Sequence, residues 1–280
     1  MDSVLERFAD DLDLAGRSSS TKRIYLAAAR DLVGFHGRPV GTLCQDDVRL
    51  WIRALQRRNL SPQRLRHHLS ALKFLYGKTL GQPNTVAFLS FPKDQQRLPT
   101  VLSVDEVRRL LAAVREPKYR MFFAFLYATG LRLGEACEVR TGDIDANRGV
   151  VRVRAGKTHK ERAVALTPPL LHTLRVYWRF VRPAQPWLFA SRRGTRLSPS
   201  VARNALRSAT EIAGLRRNVT PHVLRHTFAT HALEEGVDLR LIQVALGHRS
   251  IRTTARYASV SLETISKTPS PFDRLGFRIV

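Results

Sequence analysis

Between Gly81 and Thr100 the helical periodicity of this chain lapses, and Pro83, Pro92 and Pro99 punctuate the stretch. Proline removes a backbone donor and disfavours helix in the residue before it, so three within twenty positions mark a break. That break reads as an interdomain linker, and 280 residues are comfortable for two domains, each burying its own core. The boundaries expected are 1–90 for the first domain, 91–101 for the linker and 102–280 for the second.

Before the break the apolar residues recur only at helical spacing. Val4, Phe8 and Leu12 form one stripe, and Ile24, Ala27, Ala28 and Leu32 form a second. Leu43 to Leu55 carries Val48, Trp51, Ile52 and Leu55. Ser61 and Pro62 open a fourth helix with Leu65, Leu69, Leu72 and Leu75 facing inward. Arg64, Arg66, His67, His68 and Lys73 lie mostly off that stripe, so an all-helical bundle with one basic face is expected. By itself such a face reads equally as a DNA contact and as a solvated surface.

After the break, Ser103 and Glu106 form a capping box ahead of Val107, Leu110 and Leu111. Met121 to Tyr127 reads as a buried helix stopped by Gly130. Only residues 149–166 switch to period two, through Val151 and Val153 in one run and Arg162 to Leu166 in the next, which predicts an antiparallel hairpin with its tip at 156–161. Helices return at 169–180 and 198–213. The fold class expected is mainly α, with a small antiparallel β-hairpin or sheet confined to the second domain.

Charge narrows the partner. Lys and Arg number 47 against 23 Asp and Glu, a net +24, and so large an excess calls for a polyanion. An anionic membrane fits less well than nucleic acid. No apolar run approaches the roughly 20 residues needed to span a bilayer, and the basic residues are spread among helices rather than gathered in a tail. The opening residues are acidic and lack a signal-peptide pattern, so a cytoplasmic, nucleoid-associated location is expected. Cys44 and Cys137 make neither a disulfide framework nor a Cys-rich zinc site.

The densest chemistry lies between Thr220 and Tyr257. Thr220 suits an N-cap and Pro221 the first helical position, which puts His222 in the first turn and Arg225 on the same face. Leu241, Ile242, Ala245 and Leu246 recur at helical spacing, and Gly247 ends that helix, so His248 falls in the turn after it. Ser250 can cap a further helix carrying Tyr257. Earlier in the chain, Arg132 follows the break at Gly130 and is placed to meet a phosphate beside free backbone amides, with Glu135 to hold its side chain. Lys157 sits at the hairpin tip, with Lys160 as its rival. Each residue has an ordinary reading. Arg132 can be a surface or ion-pair residue, Lys157 a solvated turn residue, His222 a capping or core histidine and Tyr257 a half-buried aromatic. His222 and His226, four apart, also admit a zinc reading, although Val223 stands where a zinc peptidase would carry its Glu.

Taken together, Arg132 in Ala128 to Glu135, Lys157 in Gly156 to Arg162, His222 and Arg225 in the run to His231, His248 after Leu246 and Gly247, and Tyr257 nine residues later resemble the active site of the tyrosine recombinases, the lambda-integrase and Xer-like family. The resemblance spans the second domain, and the helical first domain is similar to the family's core-binding module. It implies a two-domain clamp on double-stranded DNA, an assembly of four identical subunits on two DNA sites, and no metal or nucleotide cofactor. Tyr257 would be the nucleophile, giving a 3′-phosphotyrosyl link and a free 5′-hydroxyl. Arg132 and Arg225 would bind the non-bridging oxygens, Lys157 would protonate the 5′-oxygen, His222 would exchange a proton with the tyrosine, and His248 would bind the phosphate. Two features depart from the family pattern: Thr158 and His159 stand where relatives commonly have a glycine, and Pro269 and Pro271 shorten any final helix. The rival readings are a type IB topoisomerase, a DNA-binding protein with a relic site, and a zinc nuclease built on His222 and His226.

Overall fold

The computed structural model describes residues 3–92, 100–154 and 161–247. The chain forms two compact units, Met1–Gln96 and Arg97–Val280. Lys157, Ser250, Tyr257, His248 and most of the expected linker lie outside the described residues.

The first unit is helical throughout the described residues: α1 (Ser3–Leu14), α2 (Ser19–His36), α3 (Gln45–Arg57) and α4 (Pro62–Phe74). Local chemistry sets the ends. The Ser18 side chain accepts from Thr21 N at the start of α2, and Gly37 closes it in the left-handed conformation. Asp47 reaches back to Cys44 N at 2.9 Å, so α3 begins at Gln45 rather than Leu43. The core gathers Phe8, Leu12, Leu32, Val48, Trp51, Leu55, Leu69 and Leu72. Trp51 is fully buried, and its indole donates to Asp31 Oδ2 at 3.0 Å. The inward face of α2 is rotated from the stripe expected. Ile24 and Ala27 face solvent, while Ala28, Ala29 and Leu32 are buried and Tyr25 packs edge-on against Phe74. A phenol ring covers more apolar area than an isoleucine, so burying it wins.

The second unit wraps around α6 (Pro117–Thr129), whose Phe122, Phe123 and Phe125 are fully buried, with Phe122 and Phe125 meeting Phe189. Ahead of it, α5 (Val104–Ala113) starts with the expected reciprocal cap, Ser103 N donating to Glu106 Oε2 at 2.8 Å and Glu106 N to Ser103 Oγ at 3.1 Å. A short α7 (Leu133–Glu138) follows α6. Then come strands β1 (Ile144–Asp145), β2 (Val150–Val153) and β3 (Arg162–Ala165), in the order β1-β2-β3 and all antiparallel. The hairpin of β2 and β3 was expected; β1 adds an edge too short for alternation to reveal. In β2 and β3, Val151, Val153 and Val164 face the core. The helices α8 (Pro168–Val181), α9 (Pro199–Ile212), α10 (Pro221–Glu234) and α11 (Leu239–Leu246) complete the unit. The fold is thus mainly α with a small antiparallel sheet. On α11 the inward face is Ile242, Gln243 and Leu246 rather than Leu241, which is exposed. Gln243 tolerates burial because its side-chain oxygen accepts from Arg240 at 2.6 Å. No helix among the described residues is long and apolar enough to cross a membrane.

Candidate active site

Gly130 ends α6 with φ of +62°, a left-handed conformation that a side chain disfavours. A Cβ at this position would also run into the Phe228 ring. Glycine is therefore required twice over, and the reversal it permits delivers Arg132 to the N-cap of α7. Glu135, at the third position of that helix, accepts from Arg132 N at 2.8 Å and from Arg132 Nη1 at 2.9 Å. The carboxylate thus holds both the backbone and the guanidinium of the same arginine.

Arg225 arrives on α10, a helix buried along most of its circumference and packed on α6. The residue is only 4% exposed. Nη1 donates to Gly130 O at 2.7 Å and Nη2 to Leu246 O at 2.6 Å. One guanidinium therefore ties the turn before α7 to the end of α11. A buried charge needs such partners, because carbonyl oxygens replace the water it has lost.

The C-terminal end of α11 is the meeting point. Its last carbonyls lack helical partners and carry the negative end of the helix dipole. Leu246 O takes Arg225, Gly247 O takes Arg132 Nη2 at 3.2 Å, and Ala245 O takes Arg162 Nε at 2.8 Å. Three guanidiniums thus bind three consecutive carbonyls. Glu135 supplies the counter-charge, since Arg162 also donates to both its oxygens, at 3.0 and 2.7 Å. Burial works to raise the Glu135 pKa, but the hydrogen bonds and charges of Arg162 and Arg132 outweigh it and hold the carboxyl at about 2.

His222 stands in the first turn of α10. Thr220 caps that helix by accepting from Val223 N at 3.3 Å, and Pro221 occupies its first position. The ring reaches solvent, yet nearby protein desolvates it and Arg225 and Arg132 add their charge, so its pKa falls below the ordinary value of 6.5. A neutral imidazole beside two fixed cations can take up a proton from a neighbouring hydroxyl. Of the six residues expected in the site, the structure brings Arg132, His222 and Arg225 together; Lys157, His248 and Tyr257 lie outside the described residues.

Arg162 was missed by sequence reasoning. It opens β3, where alternation gives no sign that a charged residue is buried, and its partner Glu135 is 27 positions away. The available signal was weak: a carboxylate assigned to one arginine still had an oxygen to share.

Residues 100–263 match the phage integrase family, and residues 4–85 match the SAM-like N-terminal domain of phage integrases. A Sinorhizobium fredii protein named as a candidate integrase/recombinase, y4qK, is 37% identical over 98% of this chain and 90% of its own length. The tyrosine recombinase XerA of Pyrococcus furiosus is 35% identical over 94% of this chain and 92% of its own. Among solved structures, a lambda integrase dimer bound to a core site has a TM-score of 0.76 at 20% identity, covering 90% of this chain and 96% of that one. A lambda integrase tetramer bound to a Holliday junction has a TM-score of 0.74, also at 20% identity, covering 89% and 77%.

Proposed function

Because the chain belongs to the phage integrase family of tyrosine recombinases, we propose that it cuts and rejoins double-stranded DNA at specific sites through a covalent bond to Tyr257, with neither metal nor nucleotide. The observation that carries this reading is the convergence of Arg132 and Arg225 on the end of α11, beside a histidine whose pKa is depressed by desolvation and by their charge.

In the proposed reaction the Tyr257 oxygen attacks the scissile phosphorus. The new bond is tyrosyl O–P, the bond broken is P–O5′, and the 3′ side of the strand stays attached to the enzyme. His222 takes the phenolic proton, which matters because a tyrosine with an ordinary pKa near 10 is almost wholly protonated at neutral pH. Lys157 gives a proton to the departing 5′-oxygen. Arg132 and Arg225 bind the non-bridging oxygens and offset the charge that grows in the transition state, with His248 adding a hydrogen bond. Two guanidiniums there can supply the charge stabilisation a divalent cation would otherwise give. Attack by a 5′-hydroxyl from the partner strand reverses these steps and releases Tyr257. The phosphodiester energy is retained in the tyrosyl ester, so no nucleotide is consumed.

The substrate would be DNA in the bacterial nucleoid or on a mobile element, and four subunits would assemble on two sites, as four of lambda integrase do on a Holliday junction. The test is covalent trapping in EDTA. Nicked DNA from around the protein's own gene is incubated with wild type and with Tyr257→Phe, then separated under denaturing conditions. A protein–DNA adduct formed by wild type alone is the expected result. An adduct that persists in Tyr257→Phe, or cutting that chelation abolishes, overturns the assignment. Relaxation of supercoiled plasmid irrespective of sequence would move it to a type IB topoisomerase.

A further inference from the structure

Arg162 belongs to none of the six positions assigned a chemical step, yet all three of its side-chain nitrogens are committed within the site. Nε donates to Ala245 O, Nη1 to Glu135 Oε1 and Nη2 to Glu135 Oε2. Its side chain is 8% exposed, against 27% for Arg132. Resting on the strand-transfer reading above, we propose that Arg162 is a positioning residue for that reaction: by gripping Glu135 with both forks and the end of α11 with its Nε, it fixes the guanidinium of Arg132 in the aim the phosphate requires.

The geometry argues for a role beyond filling space. Glu135 Oε1 accepts from both Arg162 and Arg132, so the two guanidiniums share one oxygen and neither can swing without moving the carboxylate. Oε2 is likewise shared between Arg162 Nη2 and Arg132 N. Arg162 and Arg132 also hold carbonyls two residues apart, Ala245 O and Gly247 O. Gly247, with φ of +63°, leaves room for this arrangement: a Cβ there would lie 3.1 Å from the Arg162 guanidinium carbon. Only a planar fork with a third donor can meet a carboxylate and a carbonyl at once. A lysine keeps the charge but offers one nitrogen on a flexible stem.

The surroundings of Glu135 define what loss of Arg162 would do. The carboxylate faces Arg132 from the start of α7 and Arg162 from β3. It lines a cavity of about 50 Å³ with Glu138, Asp143, Arg152 and Arg154, while the carbonyl end of α11 closes the site and His222 faces Arg132. Without Arg162, burial would still favour the neutral acid while its largest opposing influence would be gone, so the Glu135 pKa would rise. A neutral Glu135 grips Arg132 less tightly, and misplacement of a clamp by about 1 Å can cost roughly 100-fold in rate.

The experiment compares wild type, Arg162→Lys and Arg162→Gln. The probe is a nicked duplex first selected from a randomised pool by covalent capture with wild type. Affinity for the duplex is measured in a Tyr257→Phe background, and the single-turnover rate of adduct formation is followed between pH 5 and 8. Expected are an affinity within about threefold of wild type and an adduct rate for Arg162→Gln down about 100-fold at pH 7. That deficit should widen toward pH 5, as the unheld carboxylate gains its proton, with His222 titrating alike in all three proteins. Arg162→Lys, which keeps the charge and the aliphatic stem, should recover less than about tenfold and carries the test if Arg162→Gln does not fold. Wild-type rates in Arg162→Lys would overturn the fork argument, and so would a rate loss that follows affinity with no change in pH profile. Failure of wild type to capture any duplex would instead sink the strand-transfer reading, and the positioning role with it.

Discussion

One carboxylate organises the described part of the site. Glu135 has a side chain 15% exposed and faces two guanidiniums, so truncating it to an amide strands both positive charges. Removing one partner of a buried pair costs about 3–5 kcal/mol, and Glu135→Gln should lose stability on that order at pH 7. The pH dependence follows from the direction of the shift. The folded pKa is about 2 against an ordinary 4.5, so the stabilisation is complete above about pH 4.5 and is lost as pH falls toward 2. Denaturant unfolding of wild type and Glu135→Gln should therefore show a wide gap at pH 7 and a much smaller one below pH 3. A gap unchanged with pH would mean that shape, not charge, makes Glu135 necessary. Arg225 teaches the same lesson from the other side: at 4% exposure its charge survives burial because carbonyls from two elements surround it.

Among the elements, the reversal between α6 and α7 is the one on which site geometry turns. Gly130→Ala meets two separate penalties. The left-handed backbone costs about 1–2 kcal/mol for any residue with a Cβ, and the collision with Phe228 adds about 1–3 kcal/mol of overpacking. The two can be separated. Phe228→Leu should recover much of the second penalty in a Gly130→Ala background and none of the first, so the double variant should unfold between wild type and Gly130→Ala. Strict additivity of the two changes would show that the methyl and the ring do not meet. The element α11 matters for its end more than for its length. Its eight residues, Leu239–Leu246, present Ala245 O and Leu246 O, and the capping glycine adds Gly247 O. Those three carbonyls let separate strands and helices be drawn to one place.

The whole molecule carries a net charge of +24, and that number belongs to association rather than to folding. Binding to duplex DNA should weaken steeply with salt: six to ten phosphate contacts would lose about 10³- to 10⁵-fold in affinity between 50 and 200 mM. Fluorescence anisotropy with a duplex of arbitrary sequence measures the slope, and a flat response would remove phosphate neutralisation from the account. Several of the 23 carboxylates nonetheless hold fixed partners. Asp31 bonds Trp51 and Arg58, Asp143 meets Arg154, and Glu138 meets Arg196.

How much of this was legible in the sequence depends on the range of the interaction that writes it. Short-range chemistry was readable: the capping box at Ser103 and Glu106, the left-handed stops at Gly130 and Gly247, the Thr220 and Pro221 start of α10, and the period-two stretch that became β2 and β3. The family membership was readable for a similar reason, because motif spacing is preserved in the linear order of the chain. Two elements were misjudged where one helical face competed with another: α2 buries Ala29 and draws in Tyr25 rather than Ile24, and α11 buries Gln243 rather than Leu241. Periodicity names a stripe to within one residue, and the size and bonding of the neighbours choose the exact face. What no local pattern carried is the burial of Arg162 and Arg225 and their meeting at one helix end. Sequence by itself determined which residues are charged, which turns need glycine and which helices start where. Tertiary structure alone decided which charges leave water, because a guanidinium is buried only where carbonyls or a carboxylate from distant segments replace its hydration.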